Sequence, residues 1–350
     1  MLDSNSVTNS WPPEGLLEIP ECPACGSGTR KPLHSDLTDV VFRCAPGFWQ
    51  LVSCVDCGTA YLKTRPTEDT LHLAYSNYYT HQIGGTSQTD LKGIRLAKRI
   101  ISNGYQNARF GARLSPSSRL GGLLRALPCT KAIDLKWRFL PKTQGRVLDY
   151  GCGDGAFLTR AKNAGWDVIG TDLDSVCVEN GIAKGLDIRL GGTELLSSFD
   201  QSFDAVTCSH VIEHVPDPSD VISHFFRILR PGGRLFIDTP NINAFGHQIY
   251  GRHWRGLEAP RHLTIFNWKS LESMITRAGF ISVKRRVRDD VFGGMMAKSE
   301  LITAGHDCED PSAIARCRKP SLLRRLAQRL SYHSSEFVTL TARKPELSDA

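Results

Sequence analysis

Long apolar stretches are missing from this sequence: no run in its 350 residues approaches the roughly 20 that a helix needs to cross a bilayer. A secretory start is missing too. Met1-Leu2-Asp3-Ser4-Asn5-Ser6 has neither the basic head nor the apolar stretch of a signal peptide, so the chain is expected to stay in the cytoplasm. No internal repeat is present. The apolar-poor composition of a disordered chain is absent as well. With 41% apolar residues, the chain can bury a core and has room for one full α/β domain with a small companion.

Cysteine, by contrast, is plentiful. Eleven cysteines in a reducing compartment point to metal ligands and buried thiols rather than disulfides. Four of them form matched knuckles, Cys22-Pro23-Ala24-Cys25-Gly26 and Cys54-Val55-Asp56-Cys57-Gly58, separated by 28 residues. Four thiolates in this pattern satisfy tetrahedral Zn²⁺, and the glycine after each pair permits the tight turn. No ligand position is left open, so the expected role of the zinc is structural. Cys44, between the knuckles, reads as a small buried residue.

Charge is unevenly placed. Residues 88–146 hold thirteen Lys and Arg against Asp90 and Asp134, a net of +11, so the remainder sums to −4 of the total +7. Such a segment suits an anionic partner (nucleic acid, phosphorylated substrate or membrane surface), or else a solvated helical connector.

The expected organisation is a flexible leader at 1–20, a β-rich zinc-ribbon-like module at 21–65 and a basic helical connector at 66–144. A catalytic α/β domain follows at 145–345, interrupted by an insertion at 289–335. Apolar runs predict strands at 146–150, 167–172, 187–190, 203–208, 234–238, 280–287 and 336–343. Between them lie amphipathic helices, one carrying Phe157, Leu158, Ala161 and Ala164 on one face. Asp217 and Pro218 start another, which Pro231-Gly232-Gly233 is expected to end, and Asn267 caps a third. In the insertion, Leu322, Leu323, Leu326 and Leu330 share a helical face that docks on its own domain or rests on anionic lipid.

Val147-Leu148-Asp149-Tyr150-Gly151-Cys152-Gly153-Asp154-Gly155 runs from strand into helix. Its glycines let backbone approach a ligand at the carboxyl end of the sheet. Gly151, Gly153 and Ala156 also satisfy a dinucleotide pattern, but a pyrophosphate needs bare N–H groups, and Asp149 and Asp154 would repel it. Those acids suit a ligand carrying an ammonium and a sulfonium. Asp172 ends the next strand, where its carboxylate can accept ribose hydroxyls. Adenosine with a cationic tail and no phosphate describes S-adenosylmethionine.

The ordered set V-L-D-Y-G-C-G-D-G, T-D-L-D at 171–174, F-D-A-V-T-C-S-H-V-I-E-H-V-P-D-P at 203–218 and L-R-P-G-G-R-L-F-I-D-T-P-N at 229–241 resembles class I methyltransferases. The resemblance is greatest to the UbiG-like (methyltransferase-23) group and covers about 145–345. It implies a Rossmann-like sheet of seven strands with an antiparallel last strand. It assigns cofactor roles to Asp149, Gly151, Gly153 and Asp172, with Cys152 and Leu173 beside them. Many relatives carry an acidic residue after the third strand that meets the adenine amine; this chain has Gly191-Gly192-Thr193-Glu194 there, a departure. The cysteine module, followed by Tyr61–Pro66 and Tyr75–Tyr79, is similar to the zinc-bearing N-terminus of some sugar and polysaccharide methyltransferases.

Methyl transfer from a sulfonium is an in-line displacement that asks for alignment, plus a base when the acceptor is a hydroxyl. His210-Val211-Ile212-Glu213-His214 has the spacing of a metal motif, or else orders the loop beside the cofactor. The 241–266 connection holds His247, His253, Trp254, Glu258, Arg261 and His262, with Tyr250 and Trp254 able to stack on a sugar or ring. His262 leads as base, with His210, Glu213 and His214 as further catalytic candidates. The expected reaction is O-methylation of a saccharide, glycan or related small metabolite. The alternatives are an RNA methyltransferase that grips phosphate with its module and basic segment, and a quinone-precursor O-methyltransferase. The fourth strand lacks the N-P-P-Y sequence of many base methylators, and no RNA-recognition signature is present.

Overall fold

A computed structural model describes residues 10–75, 93–126, 130–288, 290–317 and 332–346. The leucine-faced insertion helix expected around 322–330 lies outside the described residues. No helix among them is long and apolar enough to cross a membrane.

The N-terminal region is all short strands: β1 (Leu16–Glu18), β2 (Arg30–Leu37), β3 (Trp49–Cys54), β4 (Ala60–Leu62) and β5 (Thr64–Pro66). The Cys54–Cys57 knuckle turns β3 back as β4, while β1 pairs with β5. A short α1 (Glu68–Leu71) follows, then α2 (Ile94–Phe110), a 3₁₀ segment at Arg119–Ala126 and α3 (Lys131–Lys136). The connector is not merely a solvated tether. Tyr105, Phe110, Trp137 and Leu140 bury themselves against Val147, Phe157 and Ala161 of the large domain.

From residue 146 strands and helices alternate as the apolar pattern requires. They are β6 (Arg146–Tyr150), α4 (Ala156–Asn163), β7 (Asp167–Asp172), α5 (Ser175–Ala183), β8 (Asp187–Leu190), α6 (Thr193–Leu196), β9 (Phe203–Ser209), α7 (Pro218–Ile228) and β10 (Leu229–Pro240). Then come α8 (Phe245–Tyr250), β11 (Thr264–Ile265), α9 (Trp268–Arg277), β12 (Ile281–Arg286), α10 (Phe292–Thr303), α11 (Pro311–Arg316) and β13 (Phe337–Arg343). Seven strands form one sheet in the order β12-β13-β10-β9-β6-β7-β8. β13 runs antiparallel to both its neighbours, as the resemblance implies. Because β6 is buried on both faces, its residues alternate between two cores: Leu148 and Tyr150 in one, Val147 in the other.

Local chemistry places the helix starts. Asp217 accepts from Ser219 N at 3.0 Å and Asp220 N at 2.9 Å, with Pro218 first in α7, a cap that contributes about 1 kcal/mol. Asn267 and Ser270 close a reciprocal capping box on α9. One expected stop is displaced. α7 ends at Ile228, before Pro231-Gly232-Gly233, which instead forms an irregularity inside β10 where its register on β9 shifts.

The small sheet takes a strand from the large domain. β11 pairs antiparallel with β4, Thr264 opposite Tyr61 and Ile265 opposite Ala60, giving the order β11-β4-β3-β2. Cys22, Val52, Cys54 and Tyr61 share a core with Phe266, Trp268 and Leu271.

Candidate functional site

The glycine turn follows β6 at the carboxyl end of the sheet. Gly151 has φ +70°, and a Cβ there would meet Val211 Cγ2 at 2.2 Å, so a side chain is excluded by both conformation and space. Gly153 N donates to Asp172 Oδ2 at 2.7 Å and Asp174 N to Oδ1 at 3.0 Å; the acid at the end of β7 thus pins the turn. Cys152 is buried beneath it. Leu173 is 77% exposed and Leu190 56%, two large apolar side chains left in water close to Asp172.

The picture of a turn lined by three acids changes. Asp154 is exposed and turns back on its own loop, accepting from Ala156 N at 3.0 Å just ahead of α4. Asp149 is fully buried, and its Oδ1 accepts from Arg138 and from the Thr207 hydroxyl at 2.9 Å. Arg138 also lies over the Phe157 ring at 4.1 Å. Burial pushes the Asp149 carboxyl up, and Arg138 and Thr207 oppose the shift. Its Oδ2 is buried with no hydrogen-bond partner. A buried carboxyl oxygen left without a partner below the turn fits a site that a bound polar group completes.

His210 emerges at the end of β9 with φ +59°, in the left-handed region, and its side chain remains 42% exposed. Its backbone N donates to Asp238 O at 2.8 Å. Nδ1 lies 3.8 Å from Glu213 Oε1, and Nε2 lies 3.3 Å from Asp238 Oδ2. Phe337 meets the ring edge-on at 4.8 Å, and Arg288 pairs with Asp238. Glu213 is fully buried. Burial alone would raise its carboxyl, but His210, His214 and His262 outweigh this and hold it down at about 2. At 3.8 Å the His210 contribution is charge rather than a hydrogen bond.

His214 and His262 lie deeper, their rings 4.7 Å apart. His214 Nδ1 meets the Tyr75 hydroxyl at 3.0 Å and Arg261 O at 3.1 Å. His262 is 5% exposed, with Nδ1 on Gly256 O at 2.8 Å and Nε2 4.0 Å from Glu213 Oε1. Burial pulls its pKa down to about 4. Of the H-x-x-E-H motif, Glu213 and His214 therefore converge with His262, their ligand atoms within 4.8 Å of one another, a donor set that suits a divalent cation. His210 stands apart, facing outward.

The 251–262 segment is tied down by charge. Arg261, fully buried, bridges Asp39 at 3.0 Å and Glu258 at 3.2 Å, donates to Ala74 O at 2.7 Å and lies over Phe42. Trp254 is buried with Nε1 on Glu336 at 2.8 Å, so it is not a platform for a sugar, and Tyr250 packs against the same cluster. His247 Nε2 meets His34 Nε2 of β2 at 2.8 Å. His253 and Glu258 line a cavity of about 270 Å³ with Val40, Val41 and Arg252. Apart from the Arg261–Glu258 pair, these juxtapositions join residues 82 to 222 positions apart, and no spacing in the sequence marks them.

In the small sheet, Cys22, Cys25, Cys54 and Cys57 bring their sulfurs within 4.8 Å of one another. Cys22 Sγ and Cys57 Sγ are 3.6 Å apart, as are Cys25 Sγ and Cys54 Sγ. Four thiolates at about 2.3 Å from a tetrahedral Zn²⁺ would stand ~3.8 Å apart, so the group fits the ion. None of the four is in a disulfide, and Cys44 packs against Asp39 and Ala74 instead.

Residues 123–284 match the sequence model of the methyltransferase-23 family, described as a methyltransferase domain. The ubiquinone biosynthesis O-methyltransferase of Hahella chejuensis is 39% identical over 105 residues, 28% of this chain and 44% of that protein. Its namesake from Xanthomonas oryzae pv. oryzae is 38% identical over 125 residues, 33% of this chain and 52% of the relative. The chain spans about half the length of these curated relatives. Among solved structures, an S-adenosylmethionine-dependent methyltransferase from Archaeoglobus fulgidus is 20% identical with a TM-score of 0.43, covering 69% of this chain and 98% of its own. A Haemonchus contortus phosphoethanolamine N-methyltransferase is 19% identical with a TM-score of 0.43, covering 81% and 63%.

Proposed function

We propose that this chain, whose residues 123–284 match the sequence model of a methyltransferase domain, methylates a hydroxyl of a small molecule at the expense of S-adenosylmethionine. One juxtaposition carries the reading. His210 stands half-exposed between Glu213 and Asp238, while the next residue, Val211, rests on the glycine turn at Gly151. A base is thus held next to the turn where the cofactor belongs.

In this reading Asp172 accepts from the ribose hydroxyls, and the exposed Leu173 and Leu190 flank the adenine, which suits a chain without an acidic residue directly after β8. Gly151 and Gly153 admit the amino-acid tail, with Cys152 below and Asp149 Oδ2 as the buried carboxyl oxygen beneath it. Bound cofactor supplies a methyl group on a sulfonium. His210 takes the acceptor's hydroxyl proton, and Glu213, held ionised by its surroundings, stabilises the imidazolium that results, while Asp238, paired with Arg288, lies on the other side of the ring. Glu213, His214 and His262 hold the loop behind His210 and act through it. His262, deeply buried with one nitrogen on a backbone carbonyl, is read as positioning rather than as the base. Cys22, Cys25, Cys54 and Cys57 would hold a structural Zn²⁺.

The relatives named for ubiquinone biosynthesis favour a quinone precursor as the acceptor, for which a catechol is the simplest probe. A saccharide loses its stacking platform with Trp254 buried. The test is to incubate the protein with methyl-labelled cofactor and, separately, catechols, nucleotide sugars and RNA. Label in the catechol is expected. His210→Asn should cut turnover by ~100-fold or more while leaving cofactor affinity unchanged. Label in RNA alone, or an undiminished rate in the variant, would overturn the proposal.

A further inference from the structure

We infer that the face formed by the first half of α2 and the adjoining 3₁₀ segment docks on an anionic lipid bilayer. Two features meet there that a water-facing surface rarely combines. Ile94 is 77% exposed, Leu120 69% and Leu123 76%, and Ile101, seven positions after Ile94 and so on the same helix face, is exposed as well. Between Gly93 and Ala126 the chain has seven Lys and Arg and no Asp or Glu. Isolated exposed leucines are ordinary, but a cluster of large aliphatic side chains on adjoining elements marks a contact surface.

The platform is rigid rather than a loose arm. The second half of α2 sinks Tyr105 and Phe110 into the core of the large domain. Ser118 N donates to Ile100 O at 3.2 Å, and Gly121 lets the 3₁₀ segment lie directly on the helix, since a Cβ there would be 2.2 Å from Ile101 O. Leu120 is thereby held near Ile101, and Leu123 follows Gly122, which faces Ala108 one to two turns further along; Arg95, Lys98, Arg99 and Arg119 belong to the same two elements. Among the described residues of these two elements no ring-bearing side chain, of the kind that stacks on nucleic-acid bases, is prominently exposed; aliphatic side chains gain by entering a lipid interface instead. A second copy of the same face would bring like charges together, which disfavours self-association. Exposed aliphatic residues on elements that carry only positive charge match the acyl boundary and the anionic headgroups of a bilayer, each by its own physics.

Flotation of the full-length protein with vesicles tests this. Vesicles of phosphatidylcholine mixed with phosphatidylglycerol should bind at least ~10-fold more tightly than phosphatidylcholine alone, and the binding should weaken at high salt. Leu120→Asp together with Leu123→Asp should reduce binding by ~10-fold or more, because charges at exposed positions leave the fold intact but cannot enter the interface. Circular dichroism and cofactor binding, which do not depend on this face, check that intactness. Absence of binding, equal binding to neutral vesicles or full retention by the double variant would overturn the inference. So would RNA bound as tightly as the mixed vesicles and unaffected by the double substitution. None of these readouts depends on methyl transfer.

Discussion

Both oxygens of Asp172 already accept backbone N–H groups, from Gly153 at 2.7 Å and Asp174 at 3.0 Å. The residue therefore shapes the turn as well as offering its remaining lone pairs outward. Asp172→Ala should weaken cofactor binding by ~1–3 kcal/mol through lost charge-assisted hydrogen bonds and a slackened turn. Calorimetry would read this directly, and unchanged affinity would count against the role. Asp149 was legible in the sequence as an acid at the strand end. Its partner was not. Arg138 reaches it from a segment with positive φ at both Arg138 and Phe139, and such a reversal leaves no periodic trace. For the same reason Glu213 and His262, 49 positions apart, could each be singled out but not brought together.

Among the elements, the strands of the large sheet were the most legible. Each is a short apolar run between turn residues, and β6 through β9 begin and end within a residue of those runs, whereas β10 starts at Leu229, five residues before its run, and takes in the Pro231-Gly232-Gly233 turn. β11 was invisible, because two residues carry no alternation. Yet β11 is what makes the cysteine knuckles matter beyond their own turns. Asn267, the cap of α9, donates its side-chain amide to Cys57 O at 2.8 Å, and Arg277 at the other end of the helix donates to Ala24 O. Cys54→Ser should release the metal and loosen more than the small sheet. Hydrogen exchange should accelerate in β3, β4 and β11 and in the first turn of α9, while β6 and β7 stay protected. Full metal content in the variant would refute the four-thiolate assignment.

At the scale of the whole molecule, acid should weaken the junction between the cysteine region and the large domain. Burial, with the nearby charges of His247 and Arg252, lowers the His34 pKa from 6.5 to about 4, and burial likewise lowers that of His262. The unfolded chain takes up these protons near pH 6.5, whereas the folded chain resists until near pH 4, so stability is full above the first value and falls towards the second. His34 is only half-buried, which limits its share to ~1–2 kcal/mol after allowance for solvent screening. Urea midpoints measured between about pH 7 and pH 4.5 should fall with acid, and less steeply in His34→Gln. A flat profile in the parent protein would refute the coupling.

The lent strand also has a bearing on dissection. A fragment cut after β5 would leave β4 with a bare ladder of N–H and C=O groups where Thr264 and Ile265 had been. The remaining half would carry β11 without its pairing strand, Thr264 keeping only its backbone bond to Glu213 O. Neither half is a self-sufficient unit, so expressing them apart invites aggregation, and mixing the two pieces should restore what neither holds alone.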